Sequence, residues 1–422
     1  MSFEVWENKK LRDLTTKIGS GSTPKGGSKS YKKNGIPFIR SQNIYNCEFS
    51  PAGLVYIDNE QAKKLSNVEL EEGDILLNIT GDSVARCTEV PKQFIGGRVN
   101  QHVALIRVDK TQLSSKFLKY HLVSPRMQGF MLSLAQMGGT RAALTKGMIE
   151  SFEISLPCLI EQQAIANILS SLDEKIEINN QINKKLEEMA QAIFKQWFVD
   201  FEFSNEEGKP YKSSGGKMVE SELGMIPDGW GIGRLNEVAN LSSESVNPQK
   251  HPDRVFEHFS IPALDNNKKP EMQVGLEIKS NKYVISEKVV LISKLNPITK
   301  RIWRPFPQGK HPICSTEFMV YVPKISSTLP FVYELINSNA FNEMLISHAT
   351  GSTGSRQRVK PSQTLEFKFP LPSMELINKF SETIEPLHVN ASLKLIENQK
   401  LILIRDTLLP KLMSGEIRVP VE

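Results

Sequence analysis

The chain is poor in the residues that build most catalytic and metal centres. It has four cysteines, Cys47, Cys87, Cys158 and Cys314, far apart and without a Cys-x-x-Cys pair. Neither a disulfide framework nor a zinc site is expected, and the thiols read as reduced in a cytoplasmic protein. The seven histidines, His102, His121, His251, His258, His311, His348 and His388, include no H-E-x-x-H and no close ligand set. No uncharged apolar run approaches the ~18 residues of a membrane span, and the first residues lack the basic and apolar stretches of a signal peptide. Membrane insertion and secretion are therefore not expected. There is no G-x-x-x-x-G-K-[ST], and no G-x-G-x-x-G follows a strand, so nucleotide hydrolysis and S-adenosylmethionine binding are expected only in other chains. Charge of one sign is scarce too: 52 basic against 47 acidic residues leave +5. A polyanionic partner would have to be met by arrangement of charge rather than by abundance.

What is present is an ordinary globular balance, 39% hydrophobic and 23% charged over 422 residues, enough for two or three domains. The chain is written twice. Leu76-Leu77-Asn78 precedes Leu291-Ile292-Ser293 by 215 residues, and the strand-like run 103–108 precedes 317–322 by 214. Gly139-Thr140-Arg141 and the strand 152–157 match Gly354-Ser355-Arg356 and 367–372, again 215 apart. A long helical segment follows each. Such a period means duplication of a whole domain plus helix, not a solenoid repeat.

The expected order is a first domain at residues 1–159, a helix at 160–203, a linker at 204–225, a second domain at 226–372, and a helix with tail at 373–422. In the first domain, 36–40, 73–79 and 103–108 read as strands and 114–134 as a shorter helix. In the second, 283–285, 289–293 and 318–322 read as strands and 329–346 as the helix. The linker, with Asn205-Glu206-Glu207-Gly208-Lys209-Pro210 and Ser213-Ser214-Gly215-Gly216, offers nothing from which to form a core.

Residues 161–198 contain no Pro or Gly. Ile165, Leu169, Leu172, Ile176, Asn179, Asn183, Leu186, Ala190, Ile193 and Trp197 alternate spacings of four and three, a coiled-coil seam. About 38 residues of helix span roughly 57 Å. The second helix is expected over 374–409, with Ile377, Phe380, Ile384, Leu387, Ala391, Leu395, Asn398, Ile402 and Arg405 as its stripe, Pro386 as its kink or weakest point and Pro410 beyond its end. Each helix needs a partner, and the economical one is the other, packed antiparallel. The fold class is thus α+β: two loop-rich mixed α/β domains joined by two long antiparallel coiled-coil helices. A rod of that length would set two reading heads on separate grooves of one duplex, whose turn advances about 34–36 Å.

Two fragments imitate enzyme motifs. Asn296-Pro297-Ile298-Thr299 lacks the second proline and the aromatic of an amino-methyltransferase and reads as a turn. Pro252-Asp253 with Glu277-Ile278-Lys279 imitates a magnesium nuclease but is short and has no counterpart in the first domain. No catalytic residue is expected.

Several strings carry a family resemblance by their order and spacing. They are Gly19-Ser20-Gly21-Ser22-Thr23-Pro24, Gly35-Ile36-Pro37-Phe38-Ile39-Arg40-Ser41-Gln42-Asn43-Ile44, Leu70-Glu71-Glu72-Gly73-Asp74-Ile75-Leu76, Glu161-Gln162-Gln163-Ala164-Ile165-Ala166, Leu169-Ser170-Ser171-Leu172-Asp173 and the terminal Leu408-Leu409-Pro410-Lys411-Leu412-Met413-Ser414-Gly415-Glu416-Ile417. With them the chain resembles, over nearly its full length, the specificity subunit of type I restriction-modification systems. The second domain departs from the pattern: it lacks the Gly-Ser-Thr-Pro string and has Met374-Glu375 where Glu161-Gln162 would lead one to expect Glu-Gln.

The resemblance implies two target recognition domains and a non-catalytic, DNA-binding subunit that reads a bipartite target with an unread spacer. Two modification subunits, similar to adenine-N6 methyltransferases and using S-adenosylmethionine, would bind its helices. Two restriction subunits would add ATP- and Mg-dependent translocation and cleavage. A complex with a methyltransferase alone, or a protein-only coiled-coil scaffold, stays open at this point.

Candidate DNA contacts follow from side-chain chemistry. Lys17, Lys25, Lys29, Lys32 and Lys33 crowd one Gly/Ser-rich stretch and suit phosphates, or else a solvated loop. Arg40, Gln42, Asn43, Arg86, Arg98, Asn100 and Gln101 lie beside strand ends or turns and have the donors that base edges require. Arg141 and Arg356 share a repeat position, with Arg358 nearby, for phosphate contact or for closing each domain on its helix. Lys294, Lys300, Arg301, Arg304, Gln308 and Lys310 form the strongest basic cluster of the second domain, with Trp303 available for packing or stacking. Loss of Arg301 or Arg304 is expected to relax one half-site.

Overall fold

The computed structural model describes residues 5–137, 142–351 and 357–420. The chain divides into two compact units, residues 1–177 with 400–422, and residues 178–399.

In the first unit the apolar run Val103–Val108 forms the centre of a four-stranded antiparallel sheet, flanked by Thr15–Ser20 and by Ile75–Asn78, with Cys87–Glu89 at the edge. Both faces are buried, which explains why the run hardly alternates in polarity. Ile75, Leu77, Ala104 and Ile106 face a core shared with the long helices, whereas Leu76, Val103 and Leu105 face a separate core. That second core is roofed by a three-stranded sheet in which Ile36–Ile39 pairs antiparallel with Val55–Ile57 and parallel with Arg98–Val99. Strand Glu7–Lys10 pairs with Glu153–Leu156, which leads into the first long helix.

The second unit repeats this plan in its hydrogen bonding. Ala239–Ser242, Phe318–Pro323, Val290–Ser293 and Ile302–Trp303 form the four-stranded sheet in the same order. Val290, Ile292, Met319 and Tyr321 face the helix-side core, and Leu291, Phe318 and Val320 the other. Val255–Phe259 is antiparallel to Glu271–Val274 and parallel to Pro312–Ser315, and two further strands, Lys282–Val284 and Ser245–Val246, extend this sheet.

The two shorter helices are each split, against expectation. Ser115–Val123 and Pro125–Gln136 are separate, as are Leu329–Asn337 and Asn339–Ser347. Ser124 and Ser338 take extended backbone and accept the N–H of Met127 and Phe341, capping the following helix. A serine cap costs one residue of helix and redirects the chain, a break that an unbroken apolar stripe does not reveal.

The first long helix is Leu159–Phe198 and the second Met374–Ser414. The second therefore passes through Pro410 instead of ending before it, and Pro386 does not divide it. Each proline lacks an N–H, so the carbonyls of Glu382 and Asp406 lose their intrahelical donor. The helices run antiparallel within each unit. In the first, Arg405 reaches Asp173 at 2.8 Å, and Ile165, Ala166 and Leu169 share a core with Leu409, Leu412 and Met413. In the second, Asn179 reaches Asn398 at 2.8 Å, and Phe194 and Phe198 lie 5.8 and 4.9 Å from Phe380.

The segment read as a coreless linker is structured. Strands Met218–Ser221 and Gly224–Pro227 form a hairpin beside a small core of Phe201, Phe203 and Ile226. Phe203 stacks between Tyr211 and Trp230 at 4.7 and 5.3 Å. The aromatic residues on either side of the polar stretch supply what the stretch itself lacks.

Several of the family-like strings are scaffold. Asp74 is fully buried, receives the Glu71 N–H and binds the Arg107 guanidinium at 2.8 Å, which holds Arg107 further above its usual range. Gln162 donates to the carbonyls of Gln112 and Pro157 and accepts from Ser114, locking the first helix to its domain. Glu161 takes a two-pronged bond from Arg418, which stacks on Trp6, and that bond keeps its carboxyl below the ordinary range.

Candidate nucleic-acid interface

The Gly-Ser-Thr-Pro string of the first domain passes over the turn after Arg98–Val99. Gly21 donates to the Asn100 carbonyl, and a Cβ at this residue would fall 1.6 Å from the Val99 oxygen, so only glycine fits. This close approach brings the Thr23 hydroxyl onto Gln101 Oε1. Gln101 Nε2 lies 3.0 Å from His102 Nε2, and His102 Nδ1 2.6 Å from Thr80 Oγ1. Thr80 in turn bridges Ala143. Beyond Thr23 the loop carries Lys25, Lys29, Lys32 and Lys33, all exposed and without an ion pair among the described residues, while Lys17 is half-buried on strand Thr15–Ser20.

Other candidates are spent inside the fold. Arg98, 7% exposed, donates to the carbonyls of Ala62, Gly96 and Gly97 and pairs with Glu69 at 2.6 Å. Asn43 is fully buried and holds the turn 40–52 through Ser50, Ala52 and the Arg40 N–H. Asn100 is buried and caps the His102 N–H. Arg98 and Asn43 thus have their polar side-chain groups engaged inside the fold, and Asn100 is buried with its Oδ1 taken. Arg40 donates to the Gly53 carbonyl at 2.6 Å and lies 5.3 Å over the Tyr31 ring. Exposed Gln42 makes a longer bond to the same carbonyl. Arg86 stacks 4.9 Å over exposed Tyr45 and keeps its donors available.

The basic cluster of the second domain is largely neutralised. Arg301 binds Asp265 through two bonds at 2.8 and 2.9 Å, and Arg304 binds Glu385 of the second long helix at 2.7 and 2.8 Å. Arg304 also lies 3.1 Å from His388, which reaches buried Glu334 at 2.8 Å. The Lys300 ammonium is held by the Asn337 carbonyl, and burial lowers its pKa. Trp303 is buried against Phe259 and packs rather than stacks on a ligand. Arg304, expected to read a half-site, is engaged with the second long helix through Glu385. Exposed Gln308 and Lys310 and half-buried Lys294 remain. Arg141 and Arg356 lie outside the described residues.

Repeat equivalence locates a second corner. The bridge Leu295 to Arg358 stands 215 residues after Thr80 to Ala143. Arg358 there pairs with Glu317 at 3.1 Å, which raises its pKa. Each domain thus presents the same backbone corner with different polar groups. Sequence reasoning missed Thr23, Thr80 and His102; the glycine string was the available signal, because a glycine forced by close approach marks what its neighbours touch. Among the described residues no three His, Cys, Asp or Glu side chains gather into a metal site. The imitation methyltransferase motif is a turn, Thr299 donating to the Asn296 carbonyl with Asn296 at φ 50°.

Residues 4–188 match the family model of the type I restriction modification DNA specificity domain. The chain is 28% identical to the type I restriction enzyme MjaIX specificity subunit of Methanocaldococcus jannaschii, over 98% of this chain and 94% of that one. It is 23% identical to the HindI specificity subunit of Haemophilus influenzae, over 98% and 99%. In fold it is similar to the crystal structure of the type I restriction-modification system S subunit from M. genitalium, with a TM-score of 0.60, 16% identity, and 100% and 98% of the two chains covered. The duplicated domains, the paired helices and these likenesses along the chain agree: residues 4–188 match the type I restriction modification DNA specificity domain, and the chain as a whole is similar to the specificity subunits of type I restriction-modification systems.

Proposed function

We propose that the chain reads a two-part DNA target with an unread spacer, residues 1–159 and 226–372 each recognising one half, and that it directs adenine-N6 methylation or restriction by partner subunits. The observation that carries this is the repeated corner. One backbone plan occurs twice with unlike polar side chains, as a scaffold with two specificities requires. The partners are two modification subunits bound along the helices and two restriction subunits. S-adenosylmethionine, ATP and Mg belong to those chains.

Lys25, Lys29, Lys32 and Lys33 set affinity through phosphates, and exposed Gln42, Gln101, Gln308 and Arg358, with half-buried Arg86, supply base contacts. The test is binding of the complex with its modification subunit to duplex DNA across a salt series. Replacing the four lysines with serine lowers the slope of log K against log salt by roughly 3 to 4, about 0.9 for each phosphate that is no longer neutralised, and leaves the ranking of target sequences intact. An unchanged slope would place that loop away from DNA.

A further inference from the structure

We propose that Gln101 reads an adenine in the half-site of the first domain, and that Thr23 and His102 are the positioning residues that hold its amide ready. This rests on the reading of the chain as a DNA-specificity subunit. Gln101 is exposed at the turn between Arg98–Val99 and Val103–Val108, where a glutamine would ordinarily sample many rotamers and both amide orientations. Here both ends of the amide are engaged. The Thr23 hydroxyl donates to Oε1, and Nε2 donates to His102 Nε2 at 3.0 Å. With Nε2 of the ring accepting, the imidazole proton sits on Nδ1 and goes to Thr80 Oγ1, 2.6 Å away. The relay ends on backbone at both sides: Gly21 is pinned to Asn100, and Thr80 is bridged to Ala143.

One lone pair on Oε1 and one N–H on Nε2 remain free. An acceptor beside a donor complements the N6-amino group and N7 of adenine in the major groove; guanine offers two acceptors there, O6 and N7, and would leave the amide oxygen facing an acceptor. The lysines beyond Thr23 stand on the same loop, where phosphate contacts would fix the register of the reader on the duplex. The device is particular to the first domain. At the equivalent place stand Thr316 and Glu317, and Glu317 is taken by Arg358.

The test uses the full chain in complex with its modification subunit, with the target taken from its methylation motif. Each adenine of the first half-site is replaced in turn by 7-deazaadenine, which removes only the N7 acceptor. One replacement should weaken binding by the native complex roughly ten-fold. Gln101→Ala should lose sensitivity at that position and keep the response to changes in the second half-site. His102→Ala and Thr23→Val should show a reduced response at the same position, and His102→Gln should restore part of it. Matching thermal midpoints for native and variant complexes separate loss of reading from loss of the corner. A Gln101→Ala complex that responds to every replacement as the native does overturns the assignment, as does a native complex indifferent to all of them. Absence of any target-specific binding by the native complex overturns the functional reading, and this assignment with it.

Discussion

Arg98 and Arg86 stand twelve residues apart beside strand ends, and the sequence offers the same argument for each as a base reader. The structure separates them: Arg98 is buried on three carbonyls and Glu69, whereas Arg86 lies over Tyr45 with its donors free. Arg98→Ala should destabilise the first domain by about 2–4 kcal/mol, because three carbonyls and a carboxylate lose their donor. Denaturant unfolding checks this, and unchanged stability with an altered methylation motif would return Arg98 to the interface. Burial of a polar side chain is a property of the packed domain, so its local sequence could not separate the two.

A second residue ties stability to pH. His121 has its Nδ1 sealed from solvent without a partner, and burial, aided by Arg126, lowers its pKa to about 4. The folded value lies below the unfolded one, so the unfolded chain binds the proton first. Stability is full above the unfolded value near 6.5 and falls as pH drops from there toward 4, by at most about 3 kcal/mol. Thermal midpoints between pH 7 and 4 should fall less steeply for His121→Phe than for the native chain; parallel curves would show that the ring titrates normally.

The long helices were legible as elements because a four-and-three apolar alternation over forty residues has no other stable use. Their polar interruption has a structural reason. Buried Asn179 donates to Oδ1 of buried Asn398, and Asn398 donates to Oδ1 of exposed Asn180 at 2.9 Å, a polar layer in the second unit. The double change Asn179→Leu and Asn398→Leu should raise the thermal midpoint while loosening register, since an apolar pair packs more favourably but slides. Cysteine cross-linking along the pair reads the register, and a single unchanged cross-link pattern would contradict that role.

The ends of the second helix were less legible. A proline signals a missing donor but does not reveal that surrounding contacts carry the helix through it, as they do at Pro386 and Pro410. Arg304 adds a charged tie between the second domain and this helix, beside the apolar packing of Ile377, Phe380 and Ile384. Arg304→Ala leaves Glu385 and the His388–Glu334 pair without their cation, and should cost about 2–3 kcal/mol. Faster amide exchange at 374–390 would accompany that loss. A selective change at one target base, with exchange unaltered, would restore Arg304 to DNA reading.

Across the whole chain, the duplication carries the functional reading. It was visible at a period of 215 residues because the central strands are buried on both faces and so tolerate little change of character. The loops between them share only their place, and for that reason sequence could name candidate readers but not sort them. The region 204–225 was misjudged for a related reason: Phe203 and Trp230, outside it, complete its packing.

Two domains of one chain are proposed each to read half of one target. The most direct measurement is single-molecule mapping of adenine methylation in cells carrying this chain with its modification subunit, beside cells lacking only this chain. Reading by two domains produces a two-part motif with a spacer of fixed length and free sequence, present in the first and absent in the second. A single undivided motif, or methylation that persists without this chain, would contradict it.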